Sequence, residues 1–393
     1  MLLDNSISFV IPTRNRHEFL EPLINRCLEI NGSKIIISDN SDIKIIDKLV
    51  EKYKNNRIQY NYYPQKLSVI DNFNIALKYV DTTFVCYLGD DDMIGPGFQE
   101  ALGIMLDHQI DVLNVANHNK PLQYFWPNNP SKRWGDLGGK LFFNSYDGEF
   151  QIRNIKSSLK LIKSKFGLGP LSLPRLYLGI VRMSLINKIF DKHGNLFGGY
   201  SPDIYSSYLL SLECSNPYTV DYPIIIPGAC SKSTSSARAN RTDVGDLFDN
   251  DHLGRFQNVV WDKRIPAFYS PFNVWAATLL IATEKNNDKI SILNFTHLFA
   301  LNLLNSNFSI SKLNIAIKTL SKGSFSIKFL IILMLSFQIS RLIFLKIKQG
   351  FKYFINKRPG GAKFESKNNT TSYDAYLSIR DYLMNRNIII KFK

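Results

Sequence analysis

The stretch "FVCYLGDDDMI", residues 84–94, runs apolar and aromatic residues into a single glycine and then three adjacent aspartates. A short uninterrupted apolar run of this kind reads as a buried strand. Its carboxyl end would then carry Asp90, Asp91 and Asp92. Like charges this close repel, and each loses hydration if the strand end is covered. Two arrangements bear that cost. A hard divalent cation, Mg²⁺ or Mn²⁺, can bind one or two of the carboxylates and bridge them to phosphates. Alternatively the triplet is a solvated turn, with Asp92 close enough to the next helix to cap it. Side chains alternate in direction, so the three cannot all point at one ion.

Reading outward, strands and helices alternate. "ISFVIP" (7–12) is a strand-length apolar run stopped by proline, and "HEFLEPLINRCLEI" follows with helical spacing up to Asn31-Gly32. "KIIISDNS" and "RIQYNYY" read as further strands, "IKIIDKLVEKYK" and "VIDNFNIALKYV" as further helices, and "IDVLNVA" as a fifth strand. Such alternation with buried strands predicts an α/β fold: a Rossmann-like, mostly parallel sheet flanked by helices. Ligands of such sheets bind at the carboxyl ends of the strands, where the polar residues after strands one, two and four all fall.

From about residue 118 to 170 the periodicity fails. "NHNKPLQYFWPNNPSKRWGDLGG" reads as a long loop, of the sort that is often functional. Regular structure returns with "RLYLGIVRMSLINKIF", "SPDIYSSYLLSLEC" and a strand "TVDYPIII". Between Lys289 and Phe364 there are about a dozen Lys and Arg and no Asp or Glu. Inside that segment "IKFLIILMLSFQISRLIFLKIKQGFKYFINKR" is apolar, but Gln338, Ser340 and Arg341 interrupt it. The uninterrupted part is too short to span a bilayer. An amphipathic helix with basic flanks can instead lie among headgroups, or pack on the core as an ordinary helical pair. The expected division is 1–265 for the main domain (1–117 and 118–265 as its two halves), a helical region 266–358, and a tail 359–393.

The chain has 393 residues, 45% of them hydrophobic, and a net charge of +15. That supports a sizeable core and anionic partners such as phosphates or an acidic membrane surface. No two of Cys27, Cys86, Cys214 and Cys230 have metal or redox spacing, and "MLLDNSISFVIPTRNR" lacks the features of a signal peptide. The expected location is therefore cytoplasmic. Nucleic acid is not an expected partner, because the basic bias lies in an apolar tail and no nucleic-acid motif appears.

The order and spacing of "SFVIPTRNR", "IIISDNSD", "SVIDNFNIAL" and "VCYLGDDDMI" resemble family 2 glycosyltransferases of the GT-A fold. The resemblance covers residues 5–117 well and 118–250 more loosely. It implies transfer of a hexose or deoxyhexose from a nucleotide-diphosphate sugar to an acceptor hydroxyl, with inversion. It also implies surface polysaccharide or O-antigen synthesis on a lipid carrier; the basic, apolar tail is then expected to bring the sheet domain to the inner face of the cell membrane, where a polyprenyl-diphosphate-linked acceptor resides, with Mn²⁺ or Mg²⁺ at the acidic strand end as cofactor. By the same resemblance Pro12, Thr13 and Arg14 hold the nucleoside, Asp39 bonds the base, and Asn40 and Ser41 complete its loop. Asn72 and Asn74 lie near the nucleotide. Asp90 and Asp92 match the ends of the D-x-D motif, Asp92 being the usual metal ligand and Asp91 filling the middle. Alternatives stay open: Arg14 can be a surface cation, and Asp39 can make an Asx turn.

Inversion requires a base to deprotonate the acceptor. "GGYSPDIYSSYLL" offers Asp203, with Ser201 as N-cap and Pro202 in the first turn, although proline replaces the first acid of the family's commoner pair. Asp203 could equally only complement the helix dipole. Asp243 and Asp246 are weaker candidates. "GACSKSTSSARANR" (228–241) brings Lys232, Arg238 and Arg241, which can close on a diphosphate or form a mobile basic surface. His252 reads as structural. A sugar nucleotidyltransferase would need a Gly-rich loop after strand one, where Pro12-Thr13-Arg14-Asn15 stands. A non-catalytic membrane scaffold would leave the aspartates unexplained.

Overall fold

The computed structural model describes residues 5–44, 46–115, 121–131, 135–233, 236–237, 243–249, 252–305, 310–356 and 358–392. Its strands in chain order are β1 (Ile7–Thr13), β2 (Ser33–Asp39), β3 (Ile58–Tyr62), β4 (Phe84–Tyr87), β5 (Met93–Ile94), β6 (Val112–Val115), β7 (Gln123–Phe125), β8 (Pro130–Ser131), β9 (Gly135–Asp136), β10 (Lys140–Phe143), β11 (Phe150–Ile152), β12 (Gly179–Arg182), β13 (Pro217–Val220), β14 (Ile225–Ile226), β15 (Gly228–Ala229) and β16 (Phe364–Ser366). The α-helices are α1 (Leu20–Leu28), α2 (Ile46–Tyr53), α3 (Val69–Leu77), α4 (Phe98–Asp107), α5 (Ile155–Ser164), α6 (Met183–His193), α7 (Pro202–Glu213), α8 (Pro271–Lys285), α9 (Ile292–Asn305), α10 (Ile310–Ser321), α11 (Phe325–Asn356) and α12 (Ser372–Met384).

The main sheet has the order β11-β13-β6-β12-β4-β1-β2-β3. The strands β4, β1, β2 and β3 are mutually parallel. β1 is buried throughout except at half-buried Pro12, and β4 is buried at every position. Side chains on both faces therefore meet helices, which is why these strands read as continuous apolar runs without alternation. The apolar residues divide into two large clusters, one on each side of the sheet.

Register places the strand ends. Val10 lies opposite Tyr87, and Thr13 opposite Asp39. Asp90, three residues past Tyr87, thus falls level with Thr13. β12 enters antiparallel between β4 and β6. Its direction brings the residues just before it, Tyr177 included, to the same end of the sheet as the aspartates.

One expectation changes. Among its described residues the stretch 117–139 is not one long loop: it holds β7, which pairs antiparallel with β10 and is joined by β15, and α5 follows later, starting from an Asn154 cap. These strands are two to four residues long, with half-buried Gln123 and Lys140 at the starts of β7 and β10, too short to show a pattern. The described residues of the expected tail, 359–392, pack on the main fold. β16 pairs with β10, and α12 buries Ala375, Tyr376, Ile379 and Leu383 in the core that holds Leu23 and Ile24 of α1. The Arg26 guanidinium lies 4.3 Å from the Tyr376 ring centre. Between residues 266 and 358 the described helices are α8 to α11.

Candidate active site

At the carboxyl ends of β1 and β4 a cavity of about 900 Å³ opens between the sheet, the start of α7 and the helix α8. That volume suits a ligand the size of a nucleotide sugar. Pro12, Thr13, Arg14 and Arg16 line it from the loop after β1, and Asp90 and Asp91 from the loop after β4.

The Thr13 hydroxyl donates to Asp90 Oδ2 at 2.7 Å, and Arg16 Nη1 donates to Asp90 Oδ1 at 3.1 Å. Arg16 gets there because Asn15 turns the chain with φ of 55° and its N–H is fixed by Ser41 Oγ at 2.8 Å. Arg16 also donates to the Lys232 carbonyl at 3.1 Å, tying the β1 loop to the segment after β15. Burial works against the guanidinium's charge, but Asp90 and Asp91 outweigh it and hold its pKa above the usual value. Burial, resisted by Arg16 and aided by Asp91, pushes the Asp90 carboxyl above the ordinary carboxylate range.

The three aspartates face three ways. Asp92 turns inward: its Oδ2 accepts from the Gly89 N–H at 2.7 Å and the Tyr177 hydroxyl at 3.1 Å, and its Oδ1 from the Gly228 N–H at 2.7 Å. It does not line the cavity. Burial and the neighbouring Asp91 raise its pKa well above a normal carboxylate. Asp91 accepts from the Cys230 N–H at 2.9 Å through Oδ2, while its Oδ1 lies 4.0 Å from Arg16 Nη1. Of the three aspartates, Asp90 and Asp91 line the cavity, and Asp92, expected with Asp90 as a metal ligand, is turned away from it. Among the described residues no three His, Cys, Asp or Glu side chains converge as a metal cluster. Asp90 and Asp91 fit the sparser set that Mg²⁺ or Mn²⁺ uses, with one or two carboxylates and the remaining positions left to water and phosphate oxygens.

Asp39 is fully buried. Its Oδ1 accepts from the Ser41 N–H and its Oδ2 from the Tyr60 hydroxyl, both at 2.8 Å, so the Asx turn is formed. Asn40 lines the cavity, with its amide donating to the Tyr63 and Gln65 carbonyls at 2.7 Å each and its Oδ1 accepting from Arg255. Asn72 also lines it and clasps Ser38 through both ends of its amide. Asn74 is turned to the Phe197 carbonyl. Arg14 pairs with Asp42 at 3.6 Å, and Lys232 bonds Glu18 at 2.8 Å on the rim. Arg238 and Arg241 lie outside the described residues.

Asp203 lines the same cavity as Asp90 and Asp91, in the first turn of α7, with Pro202 at the start of the helix as expected. Ser201 precedes the helix but makes no side-chain cap bond. Burial pushes the Asp203 carboxyl up to about 6, with the Arg175 guanidinium pulling the other way. Asp243 and Asp246 do not line the cavity, and His252 does, bonded to the Tyr200 carbonyl at 2.7 Å. Arg16, Tyr177, Arg255 and Trp275 are wall residues that sequence reasoning passed over. Only Arg16 left a signal, two residues beyond Arg14 in the same loop.

Residues 8–157 match the family model described as glycosyl transferase family 2. The matched segment contains β2, β3, β4, nearly all of β1, and the three aspartates. Abequosyltransferase RfbV of Salmonella typhimurium (strain LT2) is 27% identical over 158 residues, which is 37% of this chain and 46% of that protein. The match thus spans less than half the relative's length. Among solved structures, residues 1–349 of S. aureus TarS in complex with UDP-GlcNAc match with a TM-score of 0.50 at 13% identity. That match covers 88% of this chain and 92% of the other. The likeness to TarS is one of fold.

Proposed function

We propose that the protein is an inverting glycosyltransferase that takes a nucleotide-diphosphate sugar as donor. The observation that carries this reading is that Asp90, Asp91 and Asp203 line one cavity. The acidic wall would hold a divalent cation, whose chemistry is to offset diphosphate charge as the nucleotide leaves. Arg16 and Lys232 bring cationic groups to the same end. Pro12, Arg14, Asn40 and Asn72 shape the part of the cavity that would take the nucleoside. Asp203 would accept the proton of the attacking hydroxyl, giving displacement from the face opposite the leaving nucleotide.

The acceptor in this reading is a polyprenyl-diphosphate-linked saccharide of surface polysaccharide synthesis, such as O-antigen. The match to an abequosyltransferase supports a sugar transferase, and the basic, apolar C-terminal helices support a lipid-linked acceptor. The test is to incubate the full chain with a panel of nucleotide sugars and lipid-linked acceptors, and to follow nucleotide release and product configuration by NMR. An anomeric centre inverted by the wild type, and no transfer by Asp203→Asn, is the expected result. Retention of configuration, or undiminished transfer by Asp203→Asn, contradicts it.

A further inference from the structure

We infer that α11 docks the protein onto an anionic lipid bilayer, lying along the headgroup region with its outward apolar stripe inserted. The inference rests on the helix itself and stands apart from the glycosyl-transfer reading. The polar interruption at Gln338–Arg341 does not break the helix, which runs unbroken from Phe325 to Asn356. Its Phe325–Lys348 part is, by length and composition, long and apolar enough to cross a bilayer, so the sequence reading of it as too short is corrected.

The helix has two apolar stripes. Ile331 and Leu335 are buried in the core, with Ile339 and Leu342 packed behind them, at spacings of three and four residues. These seat α11 on α9 and α10. Phe325, Phe329, Leu333, Phe337 and Phe344 follow the same spacing on the outward side, and the four phenylalanines are each at least 60% exposed. An uncovered aromatic stripe of this extent on a protein surface marks an interaction site.

Charge selects the occupant. No acidic residue occurs between Lys289 and Phe364 in the sequence. Lys328, Arg341 and Lys348 are exposed on α11 itself, and Lys318 and Lys322 on and just after α10. Basic groups flanking an aromatic stripe complement anionic headgroups over acyl chains. Lying flat, rather than crossing, follows from the inner stripe: a spanning helix would have to withdraw Ile331 and Leu335 from the core. Lys346 further pins the helix, donating to the Leu304 carbonyl at 3.0 Å and Asn305 Oδ1 at 2.8 Å.

The experiment is co-sedimentation of the full chain with vesicles of phosphatidylcholine, with and without phosphatidylglycerol, across a salt series. The wild type is expected to bind the anionic vesicles and to lose about tenfold in affinity on neutral vesicles or at high salt. Phe329→Ser/Phe337→Ser/Phe344→Ser, all on the exposed face, should keep the wild-type melting temperature and lose at least about tenfold. Lys328→Gln/Arg341→Gln/Lys348→Gln, a second set that leaves the stripe intact, should flatten the salt dependence. Wild-type protein that ignores anionic vesicles overturns the inference, as does triple-Phe protein that binds them equally. So does a dimer by light scattering that the triple-Phe change abolishes, which would make a second copy the occupant. Resistance of the membrane-bound protein to alkaline carbonate extraction would contradict the flat geometry.

Discussion

Arg16 Nη1 stands 3.1 Å from Asp90 Oδ1, where the ends of β1 and β4 meet. The guanidinium is the cation that the geometry sets against the acidic strand end. Removing one partner of a largely buried pair leaves the other charge uncompensated. Arg16→Gln should lower stability by about 2 kcal/mol at pH 8, below the usual range for fully buried pairs because the Arg16 side chain is 26% exposed. Asp90 already resists ionisation, so the deficit should shrink as pH falls and the carboxyl takes up its proton. Urea unfolding at pH 5 and pH 8 measures both. Equal deficits at the two values would show that the pair does not act through charge.

Asp91 and Asp92 should separate on mutation. Asp92 accepts three hydrogen bonds and braces the turn. An asparagine there can accept at only one of its two terminal atoms, so Asp92→Asn should cost about 2 kcal/mol of stability. Its effect on Mn²⁺ affinity in the presence of a nucleoside diphosphate should be small. Asp91→Asn should show the reverse, with a near-native melting temperature and Mn²⁺ affinity reduced by at least about tenfold. Electron spin resonance of free Mn²⁺ reads the affinity directly. The opposite assignment would return the metal role to Asp92.

The pH dependence of transfer should report Asp203. A base must be ionised, and burial has moved this carboxyl up to about 6. The rate should therefore fall as pH drops through about 6. Stability runs the other way. A carboxyl raised in the folded state favours folding most at pH values below its unfolded pKa, and that advantage is lost between about 4 and 6. Asp203→Asn should thus be at least as stable as wild type at pH 8, with the difference vanishing near pH 4. A variant that is markedly less stable at pH 8 would show that Asp203 serves the fold.

Gly228 marks a close approach of backbone to backbone. A Cβ there would sit 1.7 Å from the Asp91 carbonyl oxygen. Gly228→Ala should cost about 3 kcal/mol and disturb the Asp91–Asp92 turn. Thermal unfolding with and without nucleoside diphosphate and Mn²⁺ tests this. A wild-type melting curve would mean the two loops part easily.

The parallel half of the fold was legible because both faces of its strands are covered. Full burial leaves uninterrupted apolar runs in β1, β2 and β4, each broken by helices of clear period. The acidic strand end followed from the same reading. The antiparallel β12 was not legible, because Gly179–Arg182 is short and continues directly into α6. β16 escaped notice for another reason. Its pairing with β10 spans more than two hundred residues of sequence, and no local pattern encodes such a contact. Side-chain direction was beyond reach as well. Whether Asp91 or Asp92 faces the cavity depends on Gly228, Cys230 and Tyr177, which supply the donors that fix each carboxylate.

The central claim is that the cavity seats a nucleoside diphosphate against Asp90 and Asp91. Isothermal titration calorimetry of the full chain with UDP, GDP, CDP and dTDP, each with and without Mn²⁺, tests it most directly. The account predicts one preferred nucleotide, tighter binding with Mn²⁺, and a loss of at least about tenfold in Asp91→Asn. No heat from any of the four, with either Mn²⁺ or Mg²⁺ supplied, would contradict it.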